Sequence, residues 1–222
     1  MSSNNLQTQK RLLPGPAGQI ELLIDTPDGP IAGLAIVTHP HPKLGGTAEH
    51  KIPQIMARAF QSHGFLAVRP NFRGVGATEG AHDGGSGETD DIIAVVRRLR
   101  EEYPGLPVVL AGFSFGAYVQ AMAAKRLREE GRPIAQIVLA GVPYGTVAGH
   151  RSYDTPPVPE NALIIHGEAD SSVPLSNVFE WARPQRLPVV VFPGANHFFT
   201  GYLHSLKTEI VRHLACPQVA SG

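Results

Sequence analysis

Apolar residues in this 222-residue chain gather into short continuous runs: "LAIVTH" (34–39), "FLAVRPNF" (65–72), "LPVVLAGF" (106–113), "AQIVLAG" (135–141), "ALIIHG" (162–167) and "PVVVFPG" (188–194). Each is rich in β-branched residues, too short for a helix and bounded by glycine or proline, so each is expected to be a strand. Between them the spacing changes to three and four. Ile52, Ile55, Met56, Ala59 and Phe60 share one face of a helix expected over about 50–63. Ile92, Val95, Val96 and Leu99 do the same near 87–103, and "SFGAYVQAMAAKRLREE" (114–130) forms a helix with a small-residue face. Two more helices are expected over about 175–183 and 202–214. Near-continuous apolar strands alternating with helices predict an α/β fold with a mostly parallel sheet covered on both faces. The segment "GQIELLIDTPDG" (18–29) has no intervening helix and is expected to add antiparallel strands at the sheet edge. The organisation expected is an N-terminal edge segment (1–18), one doubly wound domain (19–214) and a disordered tail (215–222).

Composition adds exclusions. Hydrophobic residues make up 42% and charged residues 17%, as in an ordinary soluble domain. Lys+Arg and Asp+Glu each total 19, so no net field points to nucleic acid or a membrane surface as partner. The single Cys216 permits no internal disulfide framework and lies in no setting that would activate a thiol. The start "MSSNNLQTQKR" has no apolar stretch after its basic residues, so no secretory leader is expected. No run approaches the roughly 18 apolar residues of a membrane span. A cytoplasmic monomer or homodimer without cofactor or metal is the expectation.

In open α/β sheets ligands bind beyond the carboxyl ends of the strands, so the residues following each run matter most. "VVLAGFSFGA" (108–117) puts Ser114 between Gly112 and Gly116, with a strand before and a helix after. Glycines at those positions let strand and helix approach without Cβ clashes and expose the serine on a sharp turn. The turn would also aim the Phe115 and Gly116 amides at the space beside the Ser114 hydroxyl. The competing reading is a serine N-cap in a glycine-rich turn.

A nucleophilic serine needs a base, and the base a partner that fixes its tautomer. Of the ten histidines, His63 closes a helix, and His50, His204 and His213 lie on helices where exposure or packing accounts for them. His82 and His150 sit in glycine-rich loops, and His166 ends a strand where local packing or hydrogen bonding is expected. His197 follows the last strand in "VVVFPGANHFF", where Gly194 and Asn196 permit a sharp turn. It is the candidate base, with a helix-start histidine as the alternative. For the acid, "ALIIHGEADSSVP" offers Glu168 and Asp170; the position of Asp170, further past the strand end, favours it. A capping or turn role for Asp170 stays open, and Asp154 is a poorer third choice.

Acyl transfer also requires donors where the tetrahedral oxygen develops. The Phe115 amide is one. After "LAIVTH" the chain continues "PHPKLGG", and because Pro40 and Pro42 carry no N–H, the nearest donors are the amides of His41 and Lys43. His41 is expected to serve through its backbone. His39 and His41 as metal ligands are the alternative, although no Cys or acidic cluster nearby completes such a site.

The stretches "HPHPKLGGT" (39–47), "RPNFRGVGATEG" (69–80), "AGFSFGA" (111–117), "IIHGEAD" (164–170) and "GANHFF" (194–199) together make the chain resemble an α/β-hydrolase. More narrowly it resembles the small lidless bacterial serine hydrolases related to dienelactone hydrolases and short-chain esterases. The resemblance implies Ser114 as nucleophile, Asp170 as acid, His197 as base, and the His41 and Phe115 amides as the oxyanion hole. It implies cleavage of small-molecule carboxylic esters with small or short acyl groups. A thioesterase or peptidase using the same triad, or a binding protein on this fold, are the alternatives. The dienelactone hydrolases usually carry a cysteine nucleophile where this chain has serine. About twenty residues separate "IVLAG" from "ALIIHG", too few for a helical cap domain. The cleft is therefore expected to be open, with walls from the loops at 71–87 and 142–160. Arg73 is expected to brace its loop against backbone carbonyls.

Overall fold

The computed structural model describes residues 8–215; residues 1–7 and 216–222, Cys216 among them, lie outside the described residues, and of the expected tail only Ala215 is described, as the last residue of a helix. The strands are β1 (Gln9–Gly15), β2 (Gly18–Asp25), β3 (Gly33–Thr38), β4 (Phe65–Pro70), β5 (Val108–Phe113), β6 (Gln136–Ala140), β7 (Gly145–Val147), β8 (Arg151–Tyr153), β9 (Leu163–Gly167) and β10 (Val189–Phe192). The helices are α1 (Lys51–Gln61), α2 (Ser86–Glu102), α3 (Phe115–Glu129), α4 (Leu175–Ala182) and α5 (Leu203–Ala215). Eight strands form one sheet in the order β1-β2-β4-β3-β5-β6-β9-β10, and β7 and β8 form a separate hairpin. From β4 to β10 neighbouring strands run parallel; β2 is antiparallel to both β1 and β4. The expected boundary at residue 18 falls at the start of β2, and within the expected edge segment Gln9–Gly15 form β1 of the sheet.

Alternation along each strand divides the core between the two faces of the sheet. Ala35, Val37, Val109, Ala111, Val138 and Ile165 pack with Ile52, Met56 and Phe60 of α1 and Leu206 and Ile210 of α5. Their neighbours Leu34, Ile36, Val108, Leu110, Leu139 and Ile164 pack with α2, α3 and α4 through Val96, Val119 and Val178. Every residue of β3, β5, β6 and β9 is buried, which explains why these strands read as near-continuous apolar runs.

The chain passes from β3 outward to β4 and returns to β5 on the other side of β3, so the strand order reverses between β3 and β5. A crevice at such a reversal is where open α/β sheets take their ligands. Two polar clusters hold the loops around it. Arg69 donates from Nε and Nη2 to Asp25 (2.9 and 3.1 Å) and from Nη1 to the Ala48 carbonyl (2.7 Å), tying β2 and β4 to the start of α1. Arg73 braces the 71–87 loop, but its partners are carboxylates and not the expected carbonyls. It pairs with Asp91 on α2 at 2.7 Å and with Asp83 at 3.6 Å.

Candidate active site

Ser114 stands between β5 and α3 with φ 56° and ψ −123°. A non-glycine residue in that region is strained, and such strain persists only where the surroundings hold it. Here the Ser114 amide is bonded to the Ala140 carbonyl at 2.9 Å, while Ala117 donates to the Ser114 carbonyl at 2.8 Å. The flanking glycines have a steric reason. A Cβ on Gly112 would lie 2.5 Å from the Gly116 carbonyl oxygen, and one on Gly116 would lie 2.6 Å from that of His39. The Ser114 side chain makes no capping bond to α3, which removes the N-cap alternative.

The hydroxyl instead meets His197, with Oγ 2.9 Å from Nε2. On the far side of the ring, Nδ1 lies 2.7 Å from Asp170 Oδ2. Asp170 is 7% exposed and follows β9 at a tight turn. Its Oδ1 accepts from the Ser172 and Val173 amides, both at 2.8 Å, so the turn role and the contact with His197 coexist in one side chain. Burial works to raise the Asp170 carboxyl, but the hydrogen bond and charge of His197, with the Val173 amide, outweigh it and hold the group below its ordinary value. An ionised Asp170 accepts from Nδ1–H, which leaves the Nε2 lone pair facing the Ser114 hydroxyl.

Glu168 turns away, accepting from the Gly194 amide at 2.8 Å. His166 does pack locally, fully buried with Nε2 2.9 Å from the Val173 carbonyl, and the same nitrogen is 3.3 Å from Asp170 Oδ2.

His41 follows β3 beside the elbow, its ring 5.1 Å from that of Phe115. Neither the His41 nor the Phe115 amide donates to an acceptor among the described residues. The His41 ring accepts from the Lys43 amide at 3.2 Å. Burial first, then the charges of His82, Arg151 and Lys43, push this imidazole down to about 4, so it is neutral near pH 7. His39 has Nδ1 2.7 Å from the Pro40 carbonyl, and its Nε2 accepts from the Phe72 amide at 2.9 Å. With both ring nitrogens engaged it has none to offer a metal, and among the described residues no group of three or more His, Cys, Asp or Glu could hold one.

The crevice is a cleft open to solvent, with Ser114 and His197 in its wall. The 142–160 segment contributes Pro143, Val147, Arg151 and Tyr153, as expected. The 71–87 loop does not line it. That loop sits one layer behind, where His82 packs on the rings of His41 (4.7 Å) and Phe115 (5.2 Å) and lies 2.7 Å from Glu88. Leu44–Gly46, His50 and Phe198 also line it. His50 is a wall residue that its helical position hid. It caps α1 with its ring stacked on Phe113, and burial, then His197 and Lys51, lower its pKa. Phe198 was legible only as the neighbour of His197.

Residues 44–156 match a family described as the alpha/beta hydrolase fold. An α/β serine hydrolase homologue from Coxiella burnetii is 36% identical with a TM-score of 0.81, over 96% of this chain and 100% of that one. An α/β serine hydrolase without a lid from Xanthomonas campestris is 32% identical with a TM-score of 0.84, over 96% and 97% of the two chains. An uncharacterised protein of Rickettsia prowazekii is 29% identical over 193 residues, 83% of this chain and 79% of that one. Like the Xanthomonas protein, this chain has no lid among its described residues, only the β7–β8 hairpin between β6 and β9. With fold, elbow and relatives in agreement, the chain belongs to the α/β-hydrolase fold family, beside bacterial serine hydrolases.

Proposed function

We propose that this protein hydrolyses carboxylic esters through an acyl-serine intermediate, with Ser114 as nucleophile, His197 as base and Asp170 as the acid that orients it. The continuous chain of contacts from Ser114 Oγ through both nitrogens of His197 to Asp170 Oδ2 carries the reading. Ser114 Oγ attacks the acyl carbon as its proton passes to Nε2, and Asp170 stabilises the imidazolium. The amides of His41 and Phe115 receive the oxyanion; one such donor lowers the barrier by about 3 kcal/mol. Collapse of the tetrahedral species breaks the bond to the alcohol oxygen, which leaves with the proton from Nε2. Water then repeats the sequence on the acyl-serine, releasing the acid and regenerating Ser114. An open cleft without a lid suits small or short-chain acyl groups.

Hydrolysis of 4-nitrophenyl acetate and butyrate by the wild type and by Ser114→Ala tests the proposal. The wild type should turn over both esters, and the variant should lose at least about 10³-fold in kcat. Undiminished hydrolysis by Ser114→Ala, or none by the wild type, would overturn it.

A further inference from the structure

The cleft carries a charge that the reaction itself does not use. The hairpin β7–β8 pairs Gly145 with Tyr153, Thr146 with Ser152 and Val147 with Arg151. Strand alternation puts Val147, Arg151 and Tyr153 on one face, and these are its cleft-lining residues, while Thr146 and Ser152 are exposed on the other. Gly149 (φ 75°) and His150 (φ 57°) are successive left-handed residues at the tip and turn the chain sharply back. The guanidinium is fixed by its own hairpin: Nε and Nη2 both donate to the Ala148 carbonyl, at 3.2 and 2.9 Å. It forms no ion pair with a carboxylate among the described residues.

Among the cleft-lining residues there is no Asp, Glu or Lys, so Arg151 is the one permanently charged side chain. Asp170 is buried behind His197, and its oxygens are taken up by His197, His166 and two amides. A cation in a concave wall attracts an anion more strongly than one on open surface. Other lining residues are different in kind: Leu44 and Phe198 stand 69% and 50% exposed at the cleft. An ester with an apolar part and a carboxylate matches both kinds of lining.

We propose that Arg151 makes this cleft selective for esters that carry a carboxylate, which the guanidinium holds while the ester carbon lies at Ser114. By donor count, Nη1 and the second hydrogen of Nη2 remain beyond the bond to the Ala148 carbonyl, enough for two charge-assisted hydrogen bonds to a carboxylate. The proposal rests on the ester-hydrolase reading of Ser114 and deepens it by naming the substrate class.

Two matched pairs test it. Mono-4-nitrophenyl glutarate against 4-nitrophenyl pentanoate carries the charge on the acyl side. 4-Acetoxybenzoate against 4-methylphenyl acetate carries it on the alcohol side. For each pair the ratio of kcat/KM, anionic over neutral, is measured for the wild type, Arg151→Gln and Arg151→Lys. Dividing the wild-type ratio by the Gln ratio cancels intrinsic reactivity. That quotient should be about tenfold or more in at least one pair, the scale of one charge-assisted hydrogen bond, with the Lys variant in between. A quotient near one in both pairs, or equal losses on charged and neutral esters, would overturn the proposal. Turnover of the neutral esters would then leave the reading of Ser114 standing, whereas no turnover of any ester would overturn both.

Discussion

Adding one methyl group at Gly116 tests whether the elbow is held by close backbone contact. A Cβ there would lie 2.6 Å from the His39 carbonyl oxygen, and 2.7 and 2.8 Å from the carbonyl oxygen and carbon of Thr38. A relaxed carbon contact is about 3.5 Å, so the start of α3 would have to withdraw from β3 by roughly 0.7–0.9 Å. The atoms it meets are backbone and cannot swing aside, and Thr38 Oγ1 ties the same turn by donating to the Gly116 carbonyl at 2.9 Å. Overpacking of this kind costs about 1–3 kcal/mol, offset by up to about 0.9 kcal/mol from the better helix propensity of alanine. A net loss of about 1–2 kcal/mol corresponds to a fall in Tm of about 2–8 °C at this chain length. The displacement also carries Ser114 Oγ and the Phe115 amide, and a misplacement near 1 Å costs on the order of 10²-fold in rate. Gly116→Ala should therefore show a lower calorimetric Tm and about a hundredfold lower kcat/KM on 4-nitrophenyl butyrate. Gly29→Ala is the control, since a Cβ there meets nothing within 4 Å. Wild-type Tm and rate in Gly116→Ala would refute the steric reading of the elbow.

The contrast between the two carboxylates after β9 is equally open to measurement. Asp170→Asn should keep its far-ultraviolet circular dichroism and lose about 10⁴-fold in kcat, because the imidazole loses its orienting anion. Glu168→Ala removes only a bond to the Gly194 amide, so its rate should stay within about threefold; the reverse outcome would exchange their roles. Acid should weaken the fold before it titrates the carboxylates. Burial holds His39 down to about 3, so below pH 6.5 the unfolded chain binds a proton that the folded one refuses. Stability is then full above pH 6.5 and falls as pH drops, by about 2 kcal/mol from His39 alone between pH 6.5 and 5. Urea unfolding at pH 7, 6 and 5 measures the slope, and a flat profile would contradict the buried neutral imidazole.

Much of the fold was legible because its signals are local. Burial on both faces makes β3, β5, β6 and β9 near-continuous apolar runs, and the three-to-four spacing in α1 and α2 marks their inward faces. That Ser114, Asp170 and His197 come together was legible because an open α/β sheet directs the residues after its strand ends toward one crevice. The cleft walls were not. The strands β7 and β8 have three residues each, below the length at which alternation can be recognised, so Arg151 gave no signal of its direction. His50 reads as a helix residue, and only the fold brings it to Phe113 and Phe198. Arg73 finds Asp91 on α2, a partner 18 positions away that spacing does not reveal. The 71–87 loop was expected in the wall because it follows a strand end, but His41 and Phe115 lie between its His82 and the cleft.

Reaction with a fluorophosphonate measures the nucleophile most directly, because the reagent phosphonylates a serine only where a base and oxyanion donors activate it. Intact-mass and peptide mass spectrometry of the labelled wild type should give one adduct, on Ser114, absent from Ser114→Ala and formed far more slowly in His197→Ala. An unlabelled wild-type protein, or an adduct on any other residue, would contradict Ser114 as the activated nucleophile.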